Sequence, residues 1–462
     1  MSRLGSLGVV VATAALLLGC ASVHNIPINV PLGVEGVAEN IRPTVEDAAA
    51  ADDLLIGLAF SGGGTRAAAF SFGVLQEMEN TPMPRASDKM LDRIDFVSGV
   101  SGGSVTAAYF GLKKRDALAD FREKFLLQNA EEGLQTELSL DTIGRAFGGG
   151  INDSKAFTKW LDAHLFKNAT FGEFRSAGSP RVWINASDIY NHVPFVFDTT
   201  AFSSICSDLT KYPLSSAVAA SAAVPIAFAP AVVKAFPGTC ADPLPPWIEK
   251  AAANRNSSPM LSSYAKAVLR YRDGAVPYIK LMDGGLVDNY GISGFTIIRE
   301  SSDNPYAPLT AAQAVKVRRA MFLVIDAKAG ISGNWVNTVE GPTGVDMLKA
   351  AVDTTMDASV GASYSAFDRT MKDWQAAMIK WRCGLSGAER ARLGARPGWN
   401  CKDLNFFIGR LGFDQLDTTR AAALEAVPTR FQLPPQQVDD VIAAGRETLR
   451  ISPIFQAFAR GL

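Results

Sequence analysis

The sequence predicts an α/β protein with three layers, in which helices cover both faces of a mostly parallel central sheet. Two observations carry this prediction. Short apolar runs that are expected to be strands alternate along the chain with helical segments, which is the pattern typical of parallel sheets. The first of these runs, Leu54–Phe60, is apolar throughout, as expected of a strand that is buried on both faces.

The predicted elements follow one another between residues 54 and 325. Strands are predicted over Leu54–Phe60, Ile94–Ser98, Val182–Ala186, Tyr278–Met282 and Met321–Ile325, and helices over Thr65–Glu79, Gly102–Lys114 and Leu214–Ala223. Prolines with Asn and Ser clusters indicate a long loop, and a candidate lid, over residues 236–262. Residues 340–382 and 436–449 have helical patterns, which we interpret as a cover over the sheet edge rather than as membrane-binding surfaces. We therefore predict one folded domain over residues 51–330 and a helical C-terminal extension over residues 331–462 that packs on it.

The composition excludes several classes of function. The chain has 462 residues, of which 48% are hydrophobic and 20% are charged, and this balance is typical of a globular protein. Its 45 basic and 46 acidic residues offer no general attraction to nucleic acid, so we predict no nucleic-acid partner. The three histidines, His24, His164 and His192, do not stand at metal-ligand spacing, and no two cysteines are two residues apart. We predict no metal site and no cofactor.

The N-terminus has the features of an export signal. The apolar stretch from Leu7 to Leu18 is too short to span a bilayer, which needs roughly 20 apolar residues. It ends at Leu17-Leu18-Gly19-Cys20, which resembles the lipobox of bacterial lipoproteins, although Leu18 stands where a smaller residue is usual. The alternative is an ordinary cleaved signal with a coincidental cysteine. We predict a lipoprotein signal peptide over residues 1–20, lipidation of Cys20 and a tether over residues 21–50. By the same resemblance, Ala21 favours the periplasmic face of the outer membrane.

The remaining cysteines are even in number, which in an exported protein suggests disulfides. Cys206, Cys240, Cys383 and Cys401 allow three pairings, and proximity in sequence favours Cys206–Cys240 and Cys383–Cys401. The alternative is four buried free thiols.

A candidate nucleophile lies between a predicted strand and a predicted helix. Gly99-Val100-Ser101-Gly102-Gly103 is a G-x-S-x-G pattern, whose glycines permit the sharp turn that exposes a serine hydroxyl. Alone the pattern is weak evidence for a nucleophile, because a tight turn with a helix-capping serine produces the same pattern.

A serine nucleophile needs a base, and the histidines do not provide one in the usual order. No histidine follows His192, so a Ser-Asp-His order of the α/β-hydrolase type is excluded. Asp283 stands directly after the apolar strand that ends at Met282, and Gly284 and Gly285 follow it. A carboxylate at the carboxyl end of a strand could act directly on the serine hydroxyl if burial raises its pKa. The alternative is a simple Asp-Gly turn.

A third feature is the glycine-rich segment Gly62-Gly63-Gly64, which follows the first strand and precedes a helix. Its N–H groups could hold an oxyanion or a phosphate, and Arg66 adds a positive charge nearby. The segment lacks the Gly-Lys-Ser/Thr of a phosphate-binding loop and the G-x-G-x-x-G of a dinucleotide site.

Together these segments resemble the patatin-like phospholipase family. The resemblance rests on Gly62–Arg66, Gly99–Gly103, Ala219–Pro225 and Asp283–Gly285, in the order that the family has them, and extends over about residues 54–327. Ser61 and Ala67 depart from the residues that many members have, which bears on the subfamily. The resemblance implies a patatin-like fold for the domain over residues 51–330.

The resemblance also implies roles for these residues. Ser101, on the turn between Gly99 and Gly103, would form a catalytic dyad with Asp283. The oxyanion hole would be formed by Gly62, Gly63 and Gly64, with Arg66 near it. The expected activity is acyl hydrolysis of membrane lipids, of the phospholipase A or lysophospholipase type, through an acyl-enzyme. Two alternatives stay open: an acyltransferase or thioesterase that uses the same dyad, and a non-catalytic envelope lipoprotein.

Overall fold

The structure is a computed structural model, and it describes residues 23–33, 53–83, 89–135, 149–175, 179–240, 243–330, 334–342 and 344–462. The predicted lipidation site Cys20 and the rest of the predicted signal peptide lie outside these ranges. Most of the predicted tether, over residues 34–50, lies outside them as well.

Eight strands and sixteen α-helices are formed by the described residues. The strands are β1 (Leu54–Phe60), β2 (Phe96–Val100), β3 (Arg181–Asp188), β4 (Val193–Phe197), β5 (Ala231–Lys234), β6 (Tyr278–Asp283), β7 (Arg319–Asp326) and β8 (Asn405–Gly412). The helices are α1 (Gly64–Asn80), α2 (Gly102–Lys113), α3 (Ala117–Phe121), α4 (Lys155–Leu161), α5 (Thr199–Ser204), α6 (Leu214–Ser221), α7 (Pro246–Ala253), α8 (Pro259–Arg272), α9 (Gly285–Asp288), α10 (Ser293–Ser301), α11 (Ala311–Lys316), α12 (Gly344–Gly384), α13 (Gly387–Arg392), α14 (Thr418–Glu425), α15 (Pro435–Ile451) and α16 (Pro453–Ala459).

The strands form a single mixed sheet. Its order is β5-β6-β3-β2-β1-β7-β8, and β4 pairs with β3 beside this path. Strands β3, β2, β1, β7 and β8 are parallel to one another, whereas β4 and β6 pair antiparallel with β3, and β5 pairs antiparallel with β6. The prediction of a mostly parallel α/β sheet is therefore confirmed.

The sheet has an apolar layer on each face, because alternate residues of a strand point to opposite sides. In β1 and β7, one set of side chains enters the larger core with α1, α2 and α15, namely Ile56, Leu58, Phe60, Met321, Leu323 and Ile325. The intervening residues of β7, among them Phe322 and Val324, pack instead against α10 and α12 in a second core. This arrangement gives the three predicted layers. None of the helices in the described part of the chain combines the length and the apolarity that a bilayer span requires.

The C-terminal region differs from the prediction of a helical extension. Strand β8 joins the sheet along the whole length of β7, from Arg319 opposite Asn405 to Asp326 opposite Gly412. The sequence hides this strand because Gly409 and Arg410 interrupt its apolar pattern. The helices predicted over residues 340–382 and 436–449 are present as α12 and α15.

The segment over residues 236–262 also differs from the loop that was predicted there. Two of its prolines begin helices, since Pro246 and Pro259 stand at the first positions of α7 and α8. These two helices pack on each other around a small core of their own, which contains Ile248, Leu261 and Val268.

Residues 23–33, which belong to the tether predicted over residues 21–50, lie against the domain and bond it through two asparagines. The Asn29 amide bonds the backbone of Lys234 in both directions, at 2.8 and 2.9 Å. The Asn25 amide donates to the carbonyls of Ala229 and Pro230. Asn29 thus pairs the outward N–H and carbonyl of the last residue of β5, an edge strand, and Asn25 pairs the two carbonyls that precede this strand.

Disulfides join the two pairs of cysteines that are close in sequence. Cys206 is bonded to Cys240 and Cys383 to Cys401. The first links the turn after α5 to the segment after β5, and the second links the end of α12 to the loop that leads into β8.

Candidate active site

The predicted nucleophile stands on a sharp turn between β2 and α2. Ser101 has a φ of 50° and a ψ of −121°, a strained conformation for a residue with a side chain. The following residue has no room for one: a Cβ at Gly102 would lie 1.9 Å from the carbonyl oxygen of Gly64. The turn therefore presses the start of α2 against the glycine-rich loop, and Ser101 lies between them with 5% of its surface exposed.

The register of β3 brings Ser101 and Asp283 together. Consecutive residues of β3 pair with the two neighbouring strand ends: Asn185 lies opposite Val100, and Ala186 lies opposite Asp283. The Ser101 hydroxyl is close enough to the Asp283 carboxyl for their interaction to lower the pKa of that carboxyl. Two residues that are 182 positions apart in sequence thus meet because β2 and β6 end at the same place.

The Asp283 carboxyl is almost completely buried, with 2% of the residue exposed. It accepts a hydrogen bond from the Gly285 N–H at 2.8 Å. Burial raises the pKa of Asp283 to about 6, although the hydrogen bond from Gly285 and the nearby Ser101 hydroxyl oppose the shift. The carboxylate is therefore a stronger base than an exposed aspartate and is still ionised at neutral pH.

Helix α6 ends on a serine that connects the two partners. The Ser221 hydroxyl accepts a hydrogen bond from the Ser101 N–H at 2.8 Å and donates to the Asn185 carbonyl at 2.6 Å. The Ser221 carbonyl accepts from the Gly284 N–H, and the Ala223 carbonyl accepts from the Asp283 N–H. The segment from Ser221 to Ala223 thus holds the backbone at Ser101 and at Asp283 in place.

The glycine-rich loop passes close to Ser101. A Cβ at Gly62 would be 3.5 Å from the Cβ of Ser101. The Gly62 N–H donates to the Asn289 carbonyl at 3.1 Å, so it is already bonded. Gly63 and Gly64 have φ values of 139° and 59°, which favour glycine, and neither N–H donates a hydrogen bond to any residue that the structure describes. These two N–H groups could receive an oxyanion.

Comparison with known proteins identifies the family of the chain. The sequence profile described as Patatin-like phospholipase matches residues 58–296, which is more than half of the chain. The chain belongs to the patatin-like phospholipase family. No curated protein sequence matches it. Among solved structures, human GIVD cytosolic phospholipase A2 matches with a TM-score of 0.43 and 9% sequence identity, over 93% of this chain and 66% of that chain.

In this patatin-like protein, Arg66 is not available to an oxyanion, contrary to the expectation. Its Nε donates to the Ala327 carbonyl at 3.0 Å, and its two other nitrogens donate to the Val427 carbonyl and the Thr429 hydroxyl. Burial lowers the pKa of Arg66 to about 10. The guanidinium is thus used to fasten residues 427–429 beneath the loop.

The neighbouring backbone strengthens the same attachment. The Thr65 N–H donates to the Arg430 carbonyl at 2.8 Å, so the beginning of α1 is held by a segment near the C-terminal helix α15. We call residues 427–430 the C-terminal latch. No local sequence pattern indicates it, because its partners are more than 360 positions away.

The histidines have other partners. His164 stacks on Trp160 and its Nδ1 bonds the Trp160 carbonyl, while His192 lies in the turn between β3 and β4. In the described ranges, no hydrogen bond joins a histidine to Ser101 or Asp283. Nor do three His, Cys, Asp or Glu side chains converge there as a metal site would need.

Proposed function

We propose that this protein is a lipid acyl hydrolase that uses Ser101 as its nucleophile and Asp283 as its base. Membership of the patatin-like phospholipase family supports lipid ester hydrolysis in general. The observation that carries the finer proposal is that the register of β3 places the strained, buried Ser101 beside Asp283, a carboxyl whose pKa burial raises to about 6.

The proposed reaction has two steps. Asp283 takes the hydroxyl proton as the Ser101 oxygen attacks the ester carbonyl carbon, and the oxyanion accepts hydrogen bonds from the Gly63 and Gly64 N–H groups. Collapse breaks the ester bond, and Asp283 returns its proton to the departing alcohol. Asp283 then takes a proton from water as the water oxygen attacks the acyl carbonyl carbon, and it gives that proton to the Ser101 oxygen as the bond to the acyl group breaks and the fatty acid leaves.

An active-site-directed fluorophosphonate tests this proposal. We expect covalent labelling of the wild-type protein and of no site in Ser101→Ala, together with release of fatty acid from p-nitrophenyl esters and phospholipid vesicles by the wild type alone. Equal labelling or equal ester hydrolysis by Ser101→Ala would refute the assignment of the nucleophile. Free fatty acid, rather than acyl transfer to an added alcohol, distinguishes hydrolysis from transfer.

The activity should fall in acid. The Asp283 pKa is raised to about 6, and only the ionised carboxylate can take the serine proton. We expect kcat/KM to be constant well above pH 6 and to decrease about tenfold for each pH unit below it. A stopped assay in overlapping buffers from pH 4 to 9 measures this profile. An inflection near pH 4 would mean that the carboxyl titrates like an exposed aspartate.

Ser221 is expected to act as a positioning residue. Ser221→Ala leaves the Ser101 N–H and the Asn185 carbonyl without their partner, and the turn that carries the nucleophile loses a restraint. A small displacement of the nucleophile lowers kcat, by about 10- to 100-fold, while KM stays within about twofold.

Ser215→Ala is the matched control for this variant. Ser215 is a buried serine in the same helix, and its hydroxyl bonds Asp162 at 2.9 Å. It should lose stability without losing kcat, and a parallel loss in both variants would assign Ser221 a purely structural role.

We also propose that the protein is anchored in the cell envelope through a lipid on Cys20. Support comes from the Leu17-Leu18-Gly19-Cys20 sequence, with a periplasmic position at the outer membrane as the expected destination. Metabolic labelling with a radioactive fatty acid should mark the wild type and not Cys20→Ser. Membrane fractions that retain unlabelled Cys20→Ser as tightly as wild type would contradict a lipid anchor.

A further inference from the structure

Exposed apolar side chains are concentrated at one side of the domain. Single exposed apolar residues are ordinary on a protein surface, whereas a cluster of them marks a contact surface. The described part of the chain exposes eleven large hydrophobic residues, and six of them belong to residues 23–33, to the turn after β3 and to the start of β6. We call these six residues the edge patch: Ile26, Ile28, Val30, Ile189, Tyr190 and Tyr278.

Hydrogen bonds and strand register hold the parts of the edge patch together. Asn29, whose two neighbours in the chain both belong to the patch, bonds the backbone of Lys234 at 2.8 and 2.9 Å. Lys234 lies opposite Tyr278 in the pairing of β5 with β6. The Ile189 N–H donates to the Lys280 carbonyl at 3.1 Å, and the Lys280 ammonium lies 5.8 Å from the centre of the Tyr278 ring. The patch therefore continues from residues 26–30 across β5 and β6 to the turn after β3.

The edge patch lies at the same end of the sheet as Ser101. Ser101 follows β2, whose last residue Val100 lies opposite Asn185. Strand β3 continues for three more residues to Asp188, a distance of about 10 Å, and the turn that follows carries two residues of the patch. Because β6 runs antiparallel to β3, its first residue Tyr278 also lies beyond this end of the sheet. The patch thus projects past the level at which the proposed nucleophile stands.

Three positive charges stand around the edge patch. The Lys234 ammonium lies 5.3 Å from the centre of the Phe236 ring, and the Lys280 ammonium lies over the tyrosine ring of the patch. Arg270 donates to the Asn191 side chain at 2.7 Å, in the turn after β3. Among the residues that the structure describes, these cations thus contact rings and an amide rather than carboxylates. Isoleucine and tyrosine side chains beside such cations suit the headgroup region of an anionic bilayer.

The start of the described chain also favours a bilayer as the partner. Val23, the first described residue, follows the proposed lipidation site Cys20 by three positions. Three extended residues span at most about 11 Å, and the six residues that lead to Ile26 span at most about 22 Å. A lipid on Cys20 would therefore keep this side of the domain next to a bilayer.

We propose that the edge patch is a membrane-contact surface, which lies on a bilayer containing anionic phospholipids and turns the Ser101 end of the sheet toward that bilayer. The isoleucines and tyrosines enter the boundary between headgroups and acyl chains, while Lys234, Lys280 and Arg270 approach lipid phosphates. The inference deepens the proposed function and rests on it, because it supplies the orientation in which a membrane lipid reaches Ser101. A lipid on Cys20 holds the protein at the membrane, and the patch sets which side faces it.

The test uses residues 21–462 with Ser101→Ala, so that the outcome depends neither on the proposed anchor nor on catalysis. This parent chain keeps every element and contact described above. Its binding is measured by co-flotation with vesicles of phosphatidylglycerol and phosphatidylethanolamine in equal amounts. We expect Ile28→Ser with Tyr278→Ser to lower the partition coefficient at least about 10-fold, because apolar area no longer leaves water on binding.

The contribution of charge is measured in the same assay. We expect Lys234→Gln with Lys280→Gln to lower the partition coefficient at least about fivefold, since each lysine near an anionic surface favours binding. Vesicles of phosphatidylcholine alone should bind the parent chain more weakly and should not distinguish it from the lysine variant.

Ile451→Ser is the matched control for the apolar variant. Ile451 is exposed by 42%, against 50% for Ile28, but lies at the other end of the domain. Its neighbour Arg450 bonds Glu77 in the last turn of α1, the helix whose first turn follows the glycine-rich loop. Ile451→Ser should leave vesicle binding unchanged.

A second measurement reports position rather than affinity. Tyr278→Trp and Ile451→Trp each add one tryptophan to the parent chain, and the vesicles then contain a phospholipid with brominated acyl chains as a quencher. We expect additional quenching relative to the parent chain for Tyr278→Trp and none for Ile451→Trp.

The results separate this surface from the proposed hydrolysis. Absence of vesicle binding by the parent chain, equal binding by the Ile28→Ser, Tyr278→Ser variant, or equal quenching at positions 278 and 451 would each overturn the proposal, even if the wild type releases fatty acid. A dimer of the parent chain that Ile28→Ser separates, without vesicle binding, would assign the patch to a second copy of this chain. Patch-dependent vesicle binding by a protein without esterase activity would support the surface and refute the hydrolysis.

Discussion

Asp283→Asn is expected to lower kcat/KM by about 10²- to 10⁴-fold, the range attributed to general-base catalysis. Asparagine has nearly the same shape, and its carbonyl oxygen can still accept the Gly285 N–H. What it cannot do is take a proton from Ser101. The rate of fluorophosphonate labelling should fall with kcat/KM, because both reactions need the same activated oxygen.

The same substitution should not destabilise the fold at neutral pH. The folded pKa of Asp283 lies above the unfolded value, so ionisation of wild type costs stability as the pH rises from about 4 through about 6. A neutral asparagine avoids that cost. We expect the Tm of Asp283→Asn to equal or exceed that of wild type at pH 8, and the advantage to disappear near pH 4. Calorimetry at both pH values shows whether the loss of activity comes from removal of the base or from unfolding of the protein.

Histidine variants provide the contrasting control. His164→Ala and His192→Ala remove the two histidines within the α/β domain. The His164 ring bonds the Trp160 carbonyl, and His192 lies in the turn between β3 and β4. Both variants should keep kcat within about twofold of wild type, because no proton transfer passes through them. A folded His192→Ala protein without activity would contradict the dyad, as would an Asp283→Asn protein with full activity.

Gly102→Ala is expected to lower kcat/KM by at least about 10²-fold, the effect of moving a reacting group by about 1 Å. The added methyl carbon would lie 1.9 Å from the Gly64 carbonyl oxygen and 2.5 Å from its carbon, and both are backbone atoms. The serine turn and the glycine-rich loop must therefore separate, which moves the nucleophile away from the Gly63 and Gly64 N–H groups. Overpacking of this kind also costs about 1–3 kcal/mol of stability.

A glycine with free space around it serves as the control for this substitution. Gly361 lies within α12, and a Cβ there would meet nothing within 4 Å. Gly361→Ala should leave kcat/KM unchanged and stabilise the helix by about 0.5–1 kcal/mol. Activity and Tm of the two variants, measured side by side, show whether close contact at Gly102 is the cause. Wild-type activity in Gly102→Ala would show that the two loops do not need to touch.

The parts of the fold that repeat a local pattern could be predicted from the sequence. The strand cores at Leu54–Phe60 and Met321–Ile325 are apolar without interruption. Gly99 of the G-x-S-x-G turn has a local steric reason, because a Cβ there would lie 2.6 Å from backbone atoms of Gly103 and Ser104. Asp283 could be selected because a carboxylate at a strand end stands where open α/β sheets carry chemistry.

The features that escaped prediction depend on contacts between distant segments. Strand β8 is stabilised by pairing with β7, and its own pattern is interrupted by Gly409 and Arg410. Arg66 stands beside the glycine-rich loop in sequence, which suggests an electrostatic role. In the structure its buried guanidinium donates instead to the Ala327 carbonyl and to two acceptors in the C-terminal latch. The sequence shows Ser221 within an alanine-rich segment. Its hydrogen bonds to Ser101 and Asn185 could not be predicted from that segment, because they depend on the register of the strands in the sheet.

The C-terminal latch has a consequence for the order of events during synthesis. The ribosome releases the Ser101 turn hundreds of residues before it releases Val427 and Arg430, which hold the loop beside it. A growing chain carries the serine early but lacks the support for the N–H groups that would receive an oxyanion. Ester cleavage would therefore begin only after Val427 and Arg430 have been added to the chain and have docked on the loop.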